Sequence, residues 1–459
     1  MTKGVAATTM AGSAELEGAG DRPDNASFTS WLALATLIIV GVYALIDRQI
    51  FILFTEPVRR TLTLSDTQIG LVQGVGLSLV GLATTYPIAW LADRYDRRRI
   101  AAACVIVWSM AVVGCGLAPN FIWLFVGASL VGIGEAGLGP ATFAIIPDLF
   151  PLHQRQLANS ISAAASRGLS AGGVYFAGQL ALLVQLSRPH LPARWATLPD
   201  LRLAFVVAAL FMPVAVAMLL AMPARTARAS MRRSVAQPGA AATGNEWLLA
   251  FLRRHGLVTF GFQTAALLMT FGYGATATWV PIAVQRYYHQ SPADSATWLS
   301  SIGLGASLVG FAIGTPLVSW LQPRLGLRMP IIVVAITTVG AAIGTIPIAF
   351  GHSIAQIYLL WGFQIALSML SSMVLPTVLQ NMTPVHLRAR LFALLTLISL
   401  ISYGLSPVTV GFVSDHLVGG TQPLVTAAVA VAVMALGLAG TLFWLIRARY
   451  LSLAVEVAV

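Results

Sequence analysis

Ala89-Trp90-Leu91-Ala92-Asp93-Arg94-Tyr95-Asp96-Arg97-Arg98-Arg99-Ile100 is a knot of charge between two long apolar runs. Residues 66–88 before it and 101–118 after it hold no Lys, Arg or Glu, and one acid, Asp66, at the far edge. Each run is near the roughly 20 residues that an α-helix needs to cross hydrocarbon. A basic knot between two such runs is a tight hairpin on the cytoplasmic side of a membrane.

Outward from that hairpin the same pattern repeats. Twelve apolar segments follow one another, near 31–54, 66–91, 100–118, 121–145, 157–184, 201–222, 257–283, 296–321, 330–350, 354–380, 391–412 and 422–446. Composition agrees: 57% of residues are hydrophobic, 9% are charged, and mean hydropathy is +0.82. A soluble chain carries about a quarter charged residues, and outer-membrane strands are only ~10 residues long. The expected fold class is therefore all-α integral membrane, with about twelve transmembrane helices in two six-helix pseudo-repeat bundles.

Orientation follows from arginine placement. With the N-terminus inside, the inner loops and the C-terminal end collect Arg94, Arg97 to Arg99, Arg155, six arginines between 225 and 254, and Arg324, Arg328, Arg388, Arg390, Arg447 and Arg449. The outer loops collect only Arg59, Arg60, Arg188, Arg194, Arg202 and Arg286. This bias puts both termini in the cytoplasm; the expected location is a cell membrane, the inner one of a bacterium. It also explains the formal charge of +11 without any nucleic-acid partner. The expected organisation is a flexible N-terminal tail (1–28), a six-helix bundle (29–222), a cytoplasmic linker with an amphipathic helix (223–255), a second bundle (256–447) and a C-terminal tail (448–459).

The two halves echo each other. Gln322-Pro323-Arg324-Leu325-Gly326-Leu327-Arg328 repeats the arginine hairpin weakly, and Met382-Thr383-Pro384-Val385-His386-Leu387-Arg388 repeats Phe150-Pro151-Leu152-His153-Gln154-Arg155. Paired halves of this kind suit a transporter whose site lies between them at mid-depth.

Four charged residues fall well inside the segments: Asp47, Arg48, Glu135 and Arg167. Such a group costs at least ~2.5–3.5 kcal/mol and marks function by default. Glu135 and Arg167 sit at similar depth and are expected to share a cavity, Arg167 as anchor for a substrate anion and Glu135 as a protonatable carboxylate. A purely structural ion pair is the alternative. Asp47 is a candidate coupling carboxylate or a local partner of Arg48, although neighbours on a helix project about 100° apart. Asp93, Arg94, Arg97 and Asp148 are candidate gate residues at the inner ends. Tyr43, Tyr86, Tyr175, Tyr273, Trp279, Trp361, Gln364 and Tyr403 are candidate cavity residues, with packing as the bland alternative. No nucleophile–base constellation and no metal spacing stand out, so neither enzyme chemistry nor a metal is expected.

Asp93-Arg94-Tyr95-Asp96-Arg97-Arg98 resembles the loop motif of the major facilitator superfamily, with Ala89 and Asp96 in place of the usual glycines. The nearer resemblance is to the spinster-like branch. Leu130-Val131-Gly132-Ile133-Gly134-Glu135-Ala136, Asp148-Leu149-Phe150-Pro151 and Tyr43-Ala44-Leu45-Ile46-Asp47-Arg48 are similar to its first and fourth helices. Ala128 stands where that branch carries an Arg, two turns before Glu135. The resemblance implies a monomeric secondary transporter of an amphipathic, lipid-like substrate, working by alternating access, with a proton as coupling ion and no other cofactor. It also implies an inner gate at Asp93 and its neighbours. A carrier of a small organic anion or drug-like solute is the second expectation, and a non-transporting receptor or scaffold the third. A lipid carrier needs a lateral opening between helices of the two halves; a solute carrier does not.

Overall fold

The computed structural model describes residues 27–138, 145–146, 149–150, 152–187, 189, 200–222, 240–384 and 387–458, and among them no residue is in a strand. The first half contains α1 (Phe28–Leu53), α2 (66–94), α3 (Arg97–Gly116), α4 (Phe121–Ala136), α5 (Leu152–Ser187) and α6 (200–221). The second contains α7 (Ala240–Tyr287), α8 (Pro292–Leu325), α9 (Met329–Thr345), α10 (Ile354–Asn381), α11 (Arg388–His416) and α12 (Pro423–Ala458). Among the described residues nine stretches are long and apolar enough to span a membrane, and one of them, Pro292–Phe350, holds both α8 and α9. With the shorter apolar stretches of α4 and α5, each segment read from sequence is helical over most of its described residues. The protein is an all-α, multi-pass integral membrane protein.

Helix starts follow local chemistry. Ser27, Asn120, Ser291 and Ser353 each accept a hydrogen bond from a backbone N–H in the first turn. Ser65 and Gln68 close a reciprocal capping box at the start of α2. Such caps are worth about 1 kcal/mol each. From Leu71 to Val80, α2 widens to π-helical bonding, a form that recurs at functional positions.

Packing divides the helices into two sets. In the first half α1 packs on α5 and α6, α3 on α4 and α6, and α4 on α2. In the second, α7 packs on α11 and α12, α9 on α10 and α12, and α8 on α10. The halves meet through residues 66–80 of α2 against α11, and through α5 against α8. Glycine permits the first approach: a Cβ on Gly74 would run into the Gly404 carbonyl, and one on Gly404 would lie 2.8 Å from Leu79. On α5, Gly178 lies against Ala296. Lower down, residues 81–94 of α2 pack on α3 and α4 instead. The halves are thus closed at the face carrying the 54–65, 288–291 and 417–422 connections, the clamped face. They part towards the opposite, open face, where the Tyr95–Asp96 hairpin lies.

Two of the expected connecting stretches are helical where they are described. Of the expected linker, 223–239 lies outside the described residues, but 240–254 is helical and runs into α7 across a kink at His255 (φ −118°). The expected C-terminal tail is a continuation of α12 to Ala458. Its Tyr450, Leu453 and Ala454 are buried because they prolong the one-face spacing that begins at Ile446. Asn381 donates to Tyr450 Oη at 3.1 Å, and Glu456 pairs with Arg254 at 2.9 Å.

The glycine contact makes a direct prediction. Gly74→Val should overpack the seam between the halves, costing about 1–3 kcal/mol, and should lower the thermal unfolding midpoint of detergent-purified protein. The same change at Gly41, where an added Cβ meets nothing within 4 Å, should not.

Candidate functional site

Three helices of the first half bring a polar cluster together in the middle of the membrane. Arg48 of α1 donates to Glu135 Oε2 of α4 at 3.3 Å. Asp47, one residue earlier, points another way: its Oδ2 accepts from Trp108 Nε1 of α3 at 2.9 Å. Tyr43, one turn earlier, shares a hydrogen bond of 3.0 Å with Ser109. The 100° step between neighbours therefore sends Asp47 into the bundle and Arg48 along a different face. Asp47 is 2% exposed, while the Arg48 side chain is 37% exposed, so only the arginine is reachable. Glu135 Oε1 and Asp47 Oδ1 are buried without a hydrogen-bond partner among the described residues.

Glu135 pairs with Arg48, and the expected sharing of a cavity by Glu135 and Arg167 falls on a side chain outside those described. One expectation is corrected. Asp47 and Arg48 are not a local pair, because each has a nearer partner on another helix. Ala128, two turns before Glu135, is fully buried.

The candidate gate residues are scattered in what the structure says of them. Arg94 lies flat over Trp90 of its own helix, 3.8 Å from the ring centroid. Arg97 begins α3. The Asp93 side chain and Asp148 lie outside the described residues. Their neighbour Asp96 caps α3 and holds Arg98 at 2.7 Å, and Arg98 also donates to the Met222 carbonyl at the end of α6. The Arg98 hydrogen bonds hold the Asp96 carboxyl below the usual carboxylate range.

The cavity candidates do not form one lining. Tyr43, Trp279, Trp361 and Gln364 are buried because each is packed or bonded inside its own half. Trp279 Nε1 donates to the Pro407 carbonyl at 3.2 Å, and Gln364 Oε1 accepts from Thr276 at 2.7 Å. Tyr273 Oη is buried beside Ser371 and Thr338 without a well-formed hydrogen bond. Tyr403 is half-buried and Tyr86 and Tyr175 are exposed.

A second charged cluster, not anticipated, sits at the clamped face. Arg286, at the end of α7, donates to both Asp66 oxygens at 2.6 and 2.9 Å and to Glu56 Oε2 at 3.1 Å. Ser414 of α11 also donates to Asp66, at 2.8 Å. In return Asp415 of α11 accepts from the N–H groups of Asp66 and Thr67 at 3.1 and 2.7 Å, where the dipole of α2 favours an anion. The side-chain partners described for Asp66 all belong to the opposite half. Glu56 keeps partners at home, Arg59 and Arg60, both at 2.9 Å. Burial alone would raise the Glu56 carboxyl, but the hydrogen bond from Arg59, the Arg286 charge and Arg60 outweigh it and hold it below its usual range. In sequence these residues are isolated charges at segment ends, where solvation is an adequate explanation. Only an acid and a base unpaired at the ends of facing segments hinted at more.

With this geometry in hand, comparison with known proteins is decisive. Residues 36–407 match the Major Facilitator Superfamily. The chain belongs to that superfamily. This superfamily chain is 26% identical over 439 residues to an MFS-type efflux pump of Mycolicibacterium smegmatis, a match covering 92% of this chain and 93% of the pump. It is 31% identical over 155 residues to the sphingosine-1-phosphate transporter SPNS2 of Xenopus tropicalis, covering 32% of this chain and 29% of that one. Its fold is similar to that of a bacterial homolog of the human lysosomal transporter spinster, solved inward-facing and unoccupied, with TM-score 0.72, 22% identity and coverage of 95% and 98%. The spinster-like resemblance is therefore borne out, and the protein is a transporter of this superfamily, not an enzyme.

The clamp predicts how its face opens. Asp66→Asn and Arg286→Gln should each part the halves there, because every side-chain partner described for Asp66 belongs to the opposite half. Spin labels at the exposed Thr61 and Thr421 should report a longer separation in either variant than in wild type. Asp415→Asn should shift it less, since Ser65 still caps α2. Acid should act through Glu56, whose carboxyl is held low, against its burial, by Arg59, Arg286 and Arg60. The contribution of such a carboxylate is intact above its unfolded value of about 4.3 and is lost as pH falls through the folded one, so the wild-type separation should be constant near neutrality and lengthen only in acid below that unfolded value.

Proposed function

We propose that this transporter works by alternating access as a monomer in a bacterial inner membrane. Both termini are cytoplasmic, so the open face is the inner one. Its cargo is an amphipathic molecule with an anionic head, and its movement is coupled to protons. The observation that carries this reading is the Arg48–Glu135 pair, an exposed guanidinium held by a buried carboxylate in mid-membrane. A cargo anion and the Glu135 carboxylate compete for the same arginine. When Glu135 takes a proton, Arg48 is released to the cargo; when the cargo leaves, Arg48 recaptures the ionised Glu135. The clamp at Asp66 and Arg286 closes the outer face during this step, and Asp47, fixed by Trp108, holds α1 in register with α3.

The lipid-like nature of the cargo rests on the seam. On α11, Leu397 and Ile401 continue the face that presents Gly404 and Gly411 to α2, yet both are exposed. Further along α2, towards the open face, Tyr86 and Trp90 are exposed as well. An apolar seam that widens towards one leaflet gives an acyl chain a sideways path. The sphingosine-1-phosphate transporter among the relatives fits a phosphate-headed lipid. Export of a drug-like solute is the second reading, favoured by the near full-length match to an efflux pump.

Reconstituted vesicles test the proposal. Lysophospholipid movement should follow an imposed pH gradient in wild type. Glu135→Gln should lose gradient-driven accumulation by tenfold or more, on the order of 1.4 kcal/mol, while keeping exchange of labelled for unlabelled cargo. Unchanged gradient-driven transport in Glu135→Gln would sink the coupling role.

A further inference from the structure

The second half of α2 and the end of α8 carry the same short pattern: Trp90-Leu91-Ala92-Asp93-Arg94 and Trp320-Leu321-Gln322-Pro323-Arg324. In both, the arginine folds back over the indole four residues before it, at 3.8 Å and 4.0 Å from the ring centroid. Both tryptophans and both arginines are exposed. Both helices also carry a main contact between the halves: α2 reaches α11 and α8 reaches α5. Each joins near its clamped end and carries the Trp–Arg pair near its open end. Gly74 and Trp90 are 16 residues apart, about 24 Å along the helix, and Ala296 and Trp320 about 36 Å. The pairs therefore stand at the opposite leaflet, each at the foot of a seam.

We propose that these two pairs are docking sites for the phosphate headgroup of anionic membrane lipids, which they gather at the two seams. The deduction rests on the cargo reading above and adds the place where an anionic amphiphile first meets the protein. An indole at the end of an apolar span sits at headgroup depth. The cation–π contact holds the guanidinium flat, leaving its edge donors directed outward in one plane, the geometry that binds phosphate bidentately. Arg324 uses one Nη1 hydrogen on the Trp320 carbonyl, at 2.7 Å. Arg94 makes no hydrogen bond among the described residues. Neither is engaged by a carboxylate described in the structure, unlike Arg98, held by Asp96, or Arg254, held by Glu456. A third pair, Arg447 over Trp444 at 4.1 Å, lies on α12, whose main packing is on helices of its own half. That pair is an anchor in the same leaflet, and it serves as the internal control.

The test uses the full chain in phosphatidylcholine nanodiscs with spin-labelled phosphatidylglycerol or spin-labelled phosphatidylcholine as probe. Wild type should hold phosphatidylglycerol about fivefold in preference. Arg94→Gln/Arg324→Gln should lose most of that preference, and Arg447→Gln should keep it. Arg94→Lys/Arg324→Lys retains charge without the planar stack and should lose part of it, which keeps the idea testable if the glutamine variant does not fold. Inorganic phosphate should not displace the labelled lipid. The proposal is overturned if the double variants match wild type, if Arg447→Gln loses as much, or if free phosphate competes. Arg48→Gln separates the two proposals: it should stop transport and leave the phosphatidylglycerol preference intact.

Discussion

In hydrocarbon a lone ion is too costly to keep, and the arrangement of this protein follows from how its few membrane-embedded charges find partners. Arg48 and Glu135 reach across from α1 to α4, Asp47 takes the indole of Trp108 on α3, and the first half is tied together at mid-depth by those contacts. No charge of the described cluster depends on the second half, so the first half can rotate as a body without stranding an ion in its interior. The clamp is the opposite case. Asp66 and Arg286 satisfy each other only while the halves touch, so separating that face leaves both to water. One set of ions holds a half together, and the other makes the contact between halves conditional.

The second half is built differently. Its interior polar groups are neutral: Ser402 and Ser406 bond the α7 carbonyls of Leu267 and Phe271, and Trp279 bonds Pro407. These bonds strap α7 to α11 along their length. The two helices whose ends carry Arg286 and Asp415 thus move together, and the clamp engages as one unit. The repeat resemblance between halves is one of helix order and loop pattern, while the chemistry at the centre is asymmetric, with charge on one side and neutral donors on the other.

Much of the fold was legible because bilayer thickness is a strict ruler. Long apolar runs and arginine knots report span number and loop position without knowledge of any partner. The cluster was legible only in membership. Asp47, Arg48 and Glu135 announced themselves as charges inside apolar runs, but their pairing did not. Position along an apolar run gives depth, and depth does not say which faces of which helices meet, so the Arg48–Glu135 contact was not readable. Arg286, Asp66, Glu56 and Asp415 were less legible still. At the end of a span a charge needs no partner, so nothing in the chain distinguishes a clamp from a solvated loop.

By itself the sequence determined that this chain crosses a membrane repeatedly as helices, in two echoing halves, with a handful of ions inside, because hydrophobic length and backbone hydrogen bonding leave no other solution. Tertiary structure decided which ions meet, which face is shut and where the seams widen. Those outcomes depend on close approach at positions such as Gly74 and Gly404 and on the rotation of each helix about its axis, neither of which a one-dimensional pattern carries.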